Sequence, residues 1–483
     1  MKLIKISIIL LIIAVGFSSC DSFLDVNDDV NNPTGEVVTP NLILPAAQNG
    51  TYNSLIQNQH RLGTIMMNQW AGDVTNFTGG NDAEYHYNIT NTFYDQVWTK
   101  MYLVTDKLQA IINKNTPEYT NYTAISMILK SHNMQYMVDL YGNVPYSEAF
   151  QRGENYQPKY DDAKSIYMSL YAALDQAINM IDNAGTTAIN PGANDVMLGG
   201  DMDMWKKLAN TLKLKLLVRA SSSTDSSIQA FVNAKYPQLA GVSFLGAGEN
   251  VTINPGYAVD TGKQNPFWNQ YGFETNGDRT GNNRFYVGSK YFIDYLIASS
   301  DTRISKYFKF ASGTAYQGIE QGADDPVIPS LGLSFIGDGL LRAGTQDGWF
   351  FTASESLLLQ AEAALNGKIT GSAQQLFEDG VTESFNLLDL SADAAAYVTS
   401  VGTVDLEKII TQKWIGLHAV DGAEILIEHN RTGFPNPPLP LLTNDAHRPY
   451  RLMYPQSEFV GNSANVVNIP RAQIFVPSLF WQL

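Results

Sequence analysis

The stretch Met137–Glu148 sets the narrowest limit on how this chain can fold. Before it, Ile125, Ile128, Leu129, His132, Tyr136 and Leu140 recur at helical spacing, so one apolar face needs a partner. Gly142 stands where a left-handed C-cap is wanted, and Pro145 cannot continue a helix. A helix over about 119–140 therefore stops in a specific turn, with Tyr141 and Tyr146 expected beneath it. The same period returns along the chain. Trp98, Met101, Leu108 and Ile111 mark a helix over 96–114. Ile166, Leu170, Leu174 and Ile178 mark another, with Asp161 as its expected N-cap. Trp205 to Leu216, Phe351 to Leu365, Leu376 to Phe385, Leu406 to Leu417 and Asp421 to Asn430 follow.

Taken in order these segments form four helix–turn–helix pairs, near 96–140, 161–222, 351–387 and 405–430. No pair of this length buries its apolar face alone, so the pairs must stack. The expected fold class is all-α, a TPR-like scaffold of four helix pairs with long aromatic-rich loop excursions and little strand. The strict TPR consensus is absent. Residues 46–70 also read as helix. Between the second and third pairs, the insertion 223–350 is rich in Gly, Asn, Ser and aromatic residues. A stretch that long is rarely structureless in a compact domain and points to function. With 44% hydrophobic residues and no Gly/Ser linker, 46–483 reads as a single domain.

The N-terminus reads as an export signal over 1–19. Lys2 and Lys5 precede the apolar run Ile8–Val15, which is too short to span a bilayer. Gly16-Phe-Ser-Ser19 then leads into Cys20, the one cysteine of the chain. That pattern resembles a lipobox, with Phe17 in place of the usual Leu, and makes Cys20 the lipidation site of a tethered protein. A plain secretory signal cleaved near Ser19 is the alternative. Residues 20–45 form an acidic tether, in which Asp25, Asn27, Asp29, Asn31 and Glu36 fall at calcium-loop spacing. Val30 stands where that loop needs Gly, so a solvated tether is the favoured reading. A single cysteine excludes internal disulfides and multi-thiolate metal sites. The formal net charge of −16 argues against nucleic acid, which needs a cationic footprint.

Asp139-Leu-Tyr-Gly-Asn-Val-Pro-Tyr-Ser147 resembles a signature of the SusD/RagB family of outer-membrane nutrient-binding lipoproteins, in particular its SusD-like group. Further segments resemble that family in its own order. They are Ala209-Asn-Thr-Leu-Lys-Leu-Lys-Leu-Leu-Val-Arg219, Glu355-Ser-Leu-Leu-Leu-Gln-Ala-Glu362, Ile410-Thr-Gln-Lys-Trp-Ile-Gly-Leu417, Asn430-Arg-Thr-Gly-Phe-Pro435 and Arg451-Leu-Met-Tyr-Pro-Gln-Ser-Glu458. The chain departs from the pattern at Ile425 to Asn430, where the family carries Trp and a further Arg. The resemblance implies a lipid-anchored, cell-surface protein of the outer membrane. It would capture an oligosaccharide and pass it to a SusC-like TonB-dependent transporter, without catalysis. Peptide or another nutrient is the alternative cargo; a surface glycoside hydrolase and a ligand-free TPR-like scaffold are the other readings.

Saccharide C–H faces stack on indole and phenol rings, while amides read the hydroxyls. Three groups in loops have that make-up: Trp70 with Asn68, Asp73 and Asn76; Trp268 with Asn265, Asn269 and Gln270; and Tyr286 with Arg284. They place the ligand on the loops 68–94 and 257–292. Trp349 is a weaker candidate, because it directly precedes a helix. Trp98, Trp205 and Trp414 lie on helix faces and read as core, as does His132. None of the six histidines has zinc-ligand spacing, and no nucleophile or phosphate-loop motif occurs. No catalytic residue, metal ligand or cofactor is therefore assigned. Besides the tether spacing, Asp324-Asp325 is a further place where calcium could be held, with a solvated turn favoured. Glu355 and Glu362 sit two turns apart on one helix and read as structural, capping a turn or pairing with Arg.

Overall fold

A computed structural model describes residues 38–73, 80–323 and 332–482. Cys20, the signal and the calcium-loop spacing lie outside these residues, as do Asn76 and Asp324-Asp325. The chain opens with helix α1 (Pro40–Ser54), a π-helical turn (Leu55–His60) and helix α2 (Arg61–Met66). Strand β1 (Trp70–Gly72) follows, where the sequence reads as helix running out into a loop.

The four expected pairs are present. They are α3 (Asp95–Lys114) with α4 (Thr120–Tyr141), α5 (Ala163–Asp182) with α6 (Met202–Ala220), α9 (Ala353–Leu365) with α10 (Ala373–Asn386), and α12 (Leu406–Gly416) with α13 (Gly422–Thr432). Helix α11 (Ser391–Val401) is among those not marked by the sequence pattern. Its run Ala392–Ala396 holds alanines at almost every position, so it shows no apolar stripe. The insertion 223–350 contains short elements, among them α7 (Pro266–Tyr271) and α8 (Lys290–Ala298). Strand content is confined, among the described residues, to three two-stranded antiparallel ladders. β1 pairs with β5 (Tyr286–Gly288), β2 (Val144–Pro145) with β3 (Tyr160–Asp161), and β4 (Val251–Ile253) with β6 (Gly348–Phe351).

Acidic and hydroxyl caps start several of the helices. Asp201 Oδ1 accepts from the amides of Asp203 at 3.1 Å and Met204 at 3.0 Å, and Thr352 Oγ1 accepts from Glu355 N at 3.1 Å. The cap of α5 is Asp162, which accepts from Ser165 N at 3.1 Å. Asp161, the expected cap, clamps the turn after α4 instead. Its Oδ2 accepts from the amides of Tyr146 and Ser147, each at 2.8 Å. Strand pairing of Val144 with Asp161 brings the carboxylate there, which a helix-start pattern does not reveal. Gly142 turns the chain at φ 81°, ψ −121°. That is a glycine conformation, although outside the left-handed helical region.

The helix pairs are joined by a buried ionic cluster. Arg219 on α6 reaches Asp139 on α4, and Glu424 and Glu428 on α13 at 2.6 and 2.8 Å. Lys215 holds Glu355 of α9 at 2.9 Å and Glu424 at 3.0 Å. Lys413 of α12 lies 3.3 Å from Glu424 and 3.4 Å from Glu428. Arg431 takes Glu362 with both ends of its guanidinium, at 2.6 and 2.7 Å. Glu355 and Glu362 are thus structural ion-pair partners, as their apolar setting suggests. Burial raises the Glu355 carboxyl to about 7 despite Lys215. Arg219 first, then Lys215 and Lys413, outweigh burial at Glu424 and hold it well below the usual carboxylate range.

Candidate functional site

Parts of the two loops expected to hold ligand, 68–94 and 257–292, meet as neighbouring strands β1 and β5. Trp70 pairs with Gly288 and Gly72 with Tyr286, and Asp73 N donates to Phe285 O at 2.7 Å. The pairing changes what their side chains can do. Trp70 is fully buried, stacked on Tyr286 at 5.4 Å and edged by His60, Tyr271 and His418. Tyr286 and Asp73 are also buried. Asn68, buried with φ 53°, donates Nδ2 to Pro438 O at 3.1 Å. Asn68, Trp70, Asp73 and Tyr286 are corrected from exposed ligand contacts to packing residues. The reason is that β1 closes against β5 and turns both strands into the core.

Arg284 stays exposed at the open end of this ladder. Beside it, Phe285 fits against two glycines. A Cβ on Gly72 would stand 2.2 Å from the ring, and one on Gly80 2.3 Å from it. Arg279 lies over the Phe335 ring at 4.1 Å and donates to Asn283 Oδ1 at 2.5 Å. Burial and the neighbouring Arg284 lower the Arg279 guanidinium, while Asp73 opposes them.

The remaining predicted residues sit on α7. Asn265 caps this helix, accepting from Phe267 N at 2.9 Å and Trp268 N at 3.1 Å. Phe267 and Tyr271 point into the core against His60, which leaves Asn269 exposed and Trp268 half-buried beside Phe273 at 5.3 Å. Asn269 opens on a cavity of about 410 Å³. The opposite wall is α1 and its π-helical turn, where Asn49, Asn53 and Gln57 line up four residues apart on one face. Tyr257 and Gln264 complete the polar lining. The loop before Tyr257 is held by Asn254, whose Oδ1 accepts from Gly256 N at 3.0 Å and Tyr257 N at 2.9 Å. Burial raises the Tyr257 phenol, so it stays a neutral donor and gives its proton to Asn49 Oδ1 at 2.8 Å.

This cleft is rich in side-chain amides, which together present donors and acceptors to a hydroxyl or acetamido group, with Asn49 Oδ1 taken by Tyr257 and Gln57 Oε1 by Lys100. Its one cation, Lys263, is largely exposed and lies 3.5 Å from Asp260. The amide stripe 49–53–57 carries no loop or aromatic signal, and it was not marked as a candidate. Its four-residue spacing of amides on a helix was the available sign. Trp349 is half-buried in β6 under Arg342, 5.0 Å from its ring. Trp98, Trp205, Trp414 and His132 are core residues. Among the described residues, no group of three or more His, Cys, Asp or Glu side chains is placed to hold a metal. Also among the described residues, no helix is long and apolar enough to cross a membrane.

Solved structures with the same fold include a chitin-binding protein, with 24% identity over 92% of this chain and 100% of that one, at a TM-score of 0.74. A chitin-binding SusD homologue from Flavobacterium johnsoniae matches at 21% identity, covering 91% of this chain and 98% of its own, with a TM-score of 0.73. A SusD homologue from Bacteroides fragilis matches at 20% identity, covering 89% and 95%, with a TM-score of 0.72. No curated protein sequence matches. A family model described as starch-binding and associating with the outer membrane matches residues 31–455. The chain belongs to the SusD-like family.

Proposed function

We propose that this protein captures an oligosaccharide at the outer surface of the outer membrane and hands it to a SusC-like TonB-dependent transporter, anchored through Cys20. The observation that carries the binding part is the amide-lined cleft between α1 and α7. Asn49, Asn53, Gln57, Gln264 and Asn269 converge there, beside the half-buried Trp268. A neutral hydroxyl-rich ligand suits this lining, which pairs each hydroxyl without demanding a counter-charge. Chitin oligosaccharides are the first ligands to test, because two proteins of this fold are named as chitin-binding. Titration calorimetry against soluble chitin, starch and other plant or fungal oligosaccharides tests the reading. Saturable heat with at least one glycan is expected, and none with any would refute it. Transporter delivery predicts that a large barrel protein co-purifies from detergent-solubilised membranes. Purification of the lipoprotein alone, in a mild detergent at low salt, would count against that part.

A further inference from the structure

A larger cavity, of about 780 Å³, lies away from the α1–α7 cleft in the chain. It is bounded by the end of α8 with the turn after it, and by α11 and α12. One stripe of helix α11, Ala392, Ala396 and Ser400, carries small side chains one turn apart, which leave the groove open. Two phenol rings also line it, Tyr295 from α8 and Tyr397 from α11. Tyr295 is half-buried and meets Trp414 edge-on at 5.4 Å. Tyr397 is 7% exposed and its ring is backed by Arg303 at 5.0 Å.

The floor is fixed from behind. Arg303 and Asp301 form a fully buried pair at 2.6 Å. Arg303 also donates to Gln412 Oε1 at 2.8 Å and to Ser384 Oγ at 2.6 Å. Gln412 Nε2 in turn donates to the Tyr397 hydroxyl at 3.1 Å. Two lining groups therefore have their positions set before any ligand arrives, which lowers the entropy lost on binding. The turn is held by Thr302, which donates to Asp393 Oδ2 at 2.8 Å. Ser300, which also lines the cavity, takes φ 53°, a left-handed backbone that a non-glycine residue adopts at some cost.

The charges narrow the ligand class. The lining carries Asp393, Asp405 and Glu407 against one cation, Lys408. Lys408 is occupied, donating to Thr403 O at 2.5 Å with Asp405 at 3.5 Å. An anion would find no unpaired cation here. A hydroxyl-rich ligand finds carboxylates and hydroxyls to accept its protons and the half-buried Tyr295 ring for a C–H face. We propose that this cavity is a second saccharide site, separate from the α1–α7 cleft, which takes a segment of a neutral oligosaccharide. The inference rests on the glycan-binding reading above, and the test separates the two.

Ala396→Trp and Ser400→Trp fill the groove from exposed positions of α11, and Asn53→Trp fills the first cleft. Chitotriose is titrated into the purified wild type and each variant by calorimetry, with thermal melting as the fold control. The wild type is expected to take up two equivalents, and each blocked form one. Combining Ala396→Trp with Asn53→Trp is expected to remove at least nine-tenths of the binding. If Ala396→Trp fails to fold, Ser400→Trp carries the same comparison. One equivalent in the wild type, abolished by Asn53→Trp and untouched by Ala396→Trp, overturns the second site and leaves the first standing. No binding by the wild type overturns both.

Discussion

Arg219→Met is the sharpest test of what holds the helix pairs together. The guanidinium is 1% exposed and serves three carboxylates, on α4 and α13. After the change, Glu424 keeps Lys215 at 3.0 Å and Lys413 at 3.3 Å, and Glu428 keeps Arg431 at 2.5 Å. Asp139 keeps only its hydrogen bond from Tyr167. The loss therefore falls on one buried, unpaired carboxylate, at about 3–5 kcal/mol. Unfolding entropy of about 2.1 cal/mol/K per residue over roughly 430 folded residues gives ~0.9 kcal/mol/K. Calorimetric melting at pH 8 should then show a Tm about 3–6 °C below wild type. Burial already raises the Asp139 carboxyl, and without Arg219 it rises further. The folded variant thus binds a proton the unfolded chain has released, and its stability falls as pH rises. The gap to wild type should accordingly narrow at pH 5, and adding Asp139→Asn should restore much of the loss at pH 8. A Tm within about 1 °C of wild type at pH 8, or a further drop on adding Asp139→Asn, would refute the reasoning.

Acid should destabilise the fold through its buried histidines. Burial lowers His60 and His132 to about 3, against 6.5 for an exposed histidine. Their stabilising effect is complete above 6.5 and is lost as pH falls toward 3, because the unfolded chain takes the protons. Glu355, raised to about 7, opposes this between about 7 and 4.5. Asp139 and Asp421, also raised by burial, join Glu355, but His418 and His429 are lowered too, so four histidines outweigh three carboxyls and denaturant midpoints should fall below pH 6; a midpoint rising steadily from pH 7 to 4 would contradict this. His418 has no partner for either ring nitrogen, so His418→Phe should raise stability by about 1–2 kcal/mol, read from urea unfolding at pH 5. Gly142→Ala puts a Cβ 2.9 Å from Leu479 Cδ2 at a positive φ, and should cost about 1–3 kcal/mol in the same assay. Asn269→Ala should weaken glycan binding roughly tenfold with Tm unchanged, as expected for one lost hydrogen bond at about 1.4 kcal/mol. An unaltered affinity in calorimetry would move the ligand out of the α1–α7 cleft.

The helix pairs were legible because each must bury a face at a 3.6-residue period, and that period survives in the sequence whatever the partner. The strand pairing of β1 with β5 was not legible. It joins segments more than two hundred positions apart and involves only three residues on each side. Local composition around Trp70 is polar and glycine-rich, which reads as loop. The ladder nevertheless sets Trp70 among His60, Tyr271, Tyr286 and His418. Ring composition alone does not separate an aromatic core from an aromatic binding face; the neighbours across the fold decide it. The amide stripe of α1 failed for the opposite reason. Asn49, Asn53 and Gln57 have a regular spacing, but nothing local says that α7 will stop short of covering them.

Five of the six segments that resemble the family share a physical cause. Asp139, Lys215, Arg219, Glu355, Glu362, Lys413 and Arg431 are scattered over some three hundred positions, each in a different recognisable stretch or two to a stretch. Folded, they are all members of one buried ionic cluster with Glu424 and Glu428. A buried charge cannot be changed alone, because its partner is left unpaired at a cost of about 3–5 kcal/mol. Such a cluster constrains several positions jointly and so leaves a strong sequence pattern, while saying nothing of the ligand. The α1–α7 cleft has no comparable lock. Its amides other than the buried Gln264 are half-buried or exposed, and most of them can be replaced without stranding a charge. It follows that the scaffold is written in the motifs and the specificity in residues the motifs omit. Exchanging Asn49, Asn53, Gln57 and Asn269 should therefore alter which glycan binds while the melting temperature stays within a few degrees.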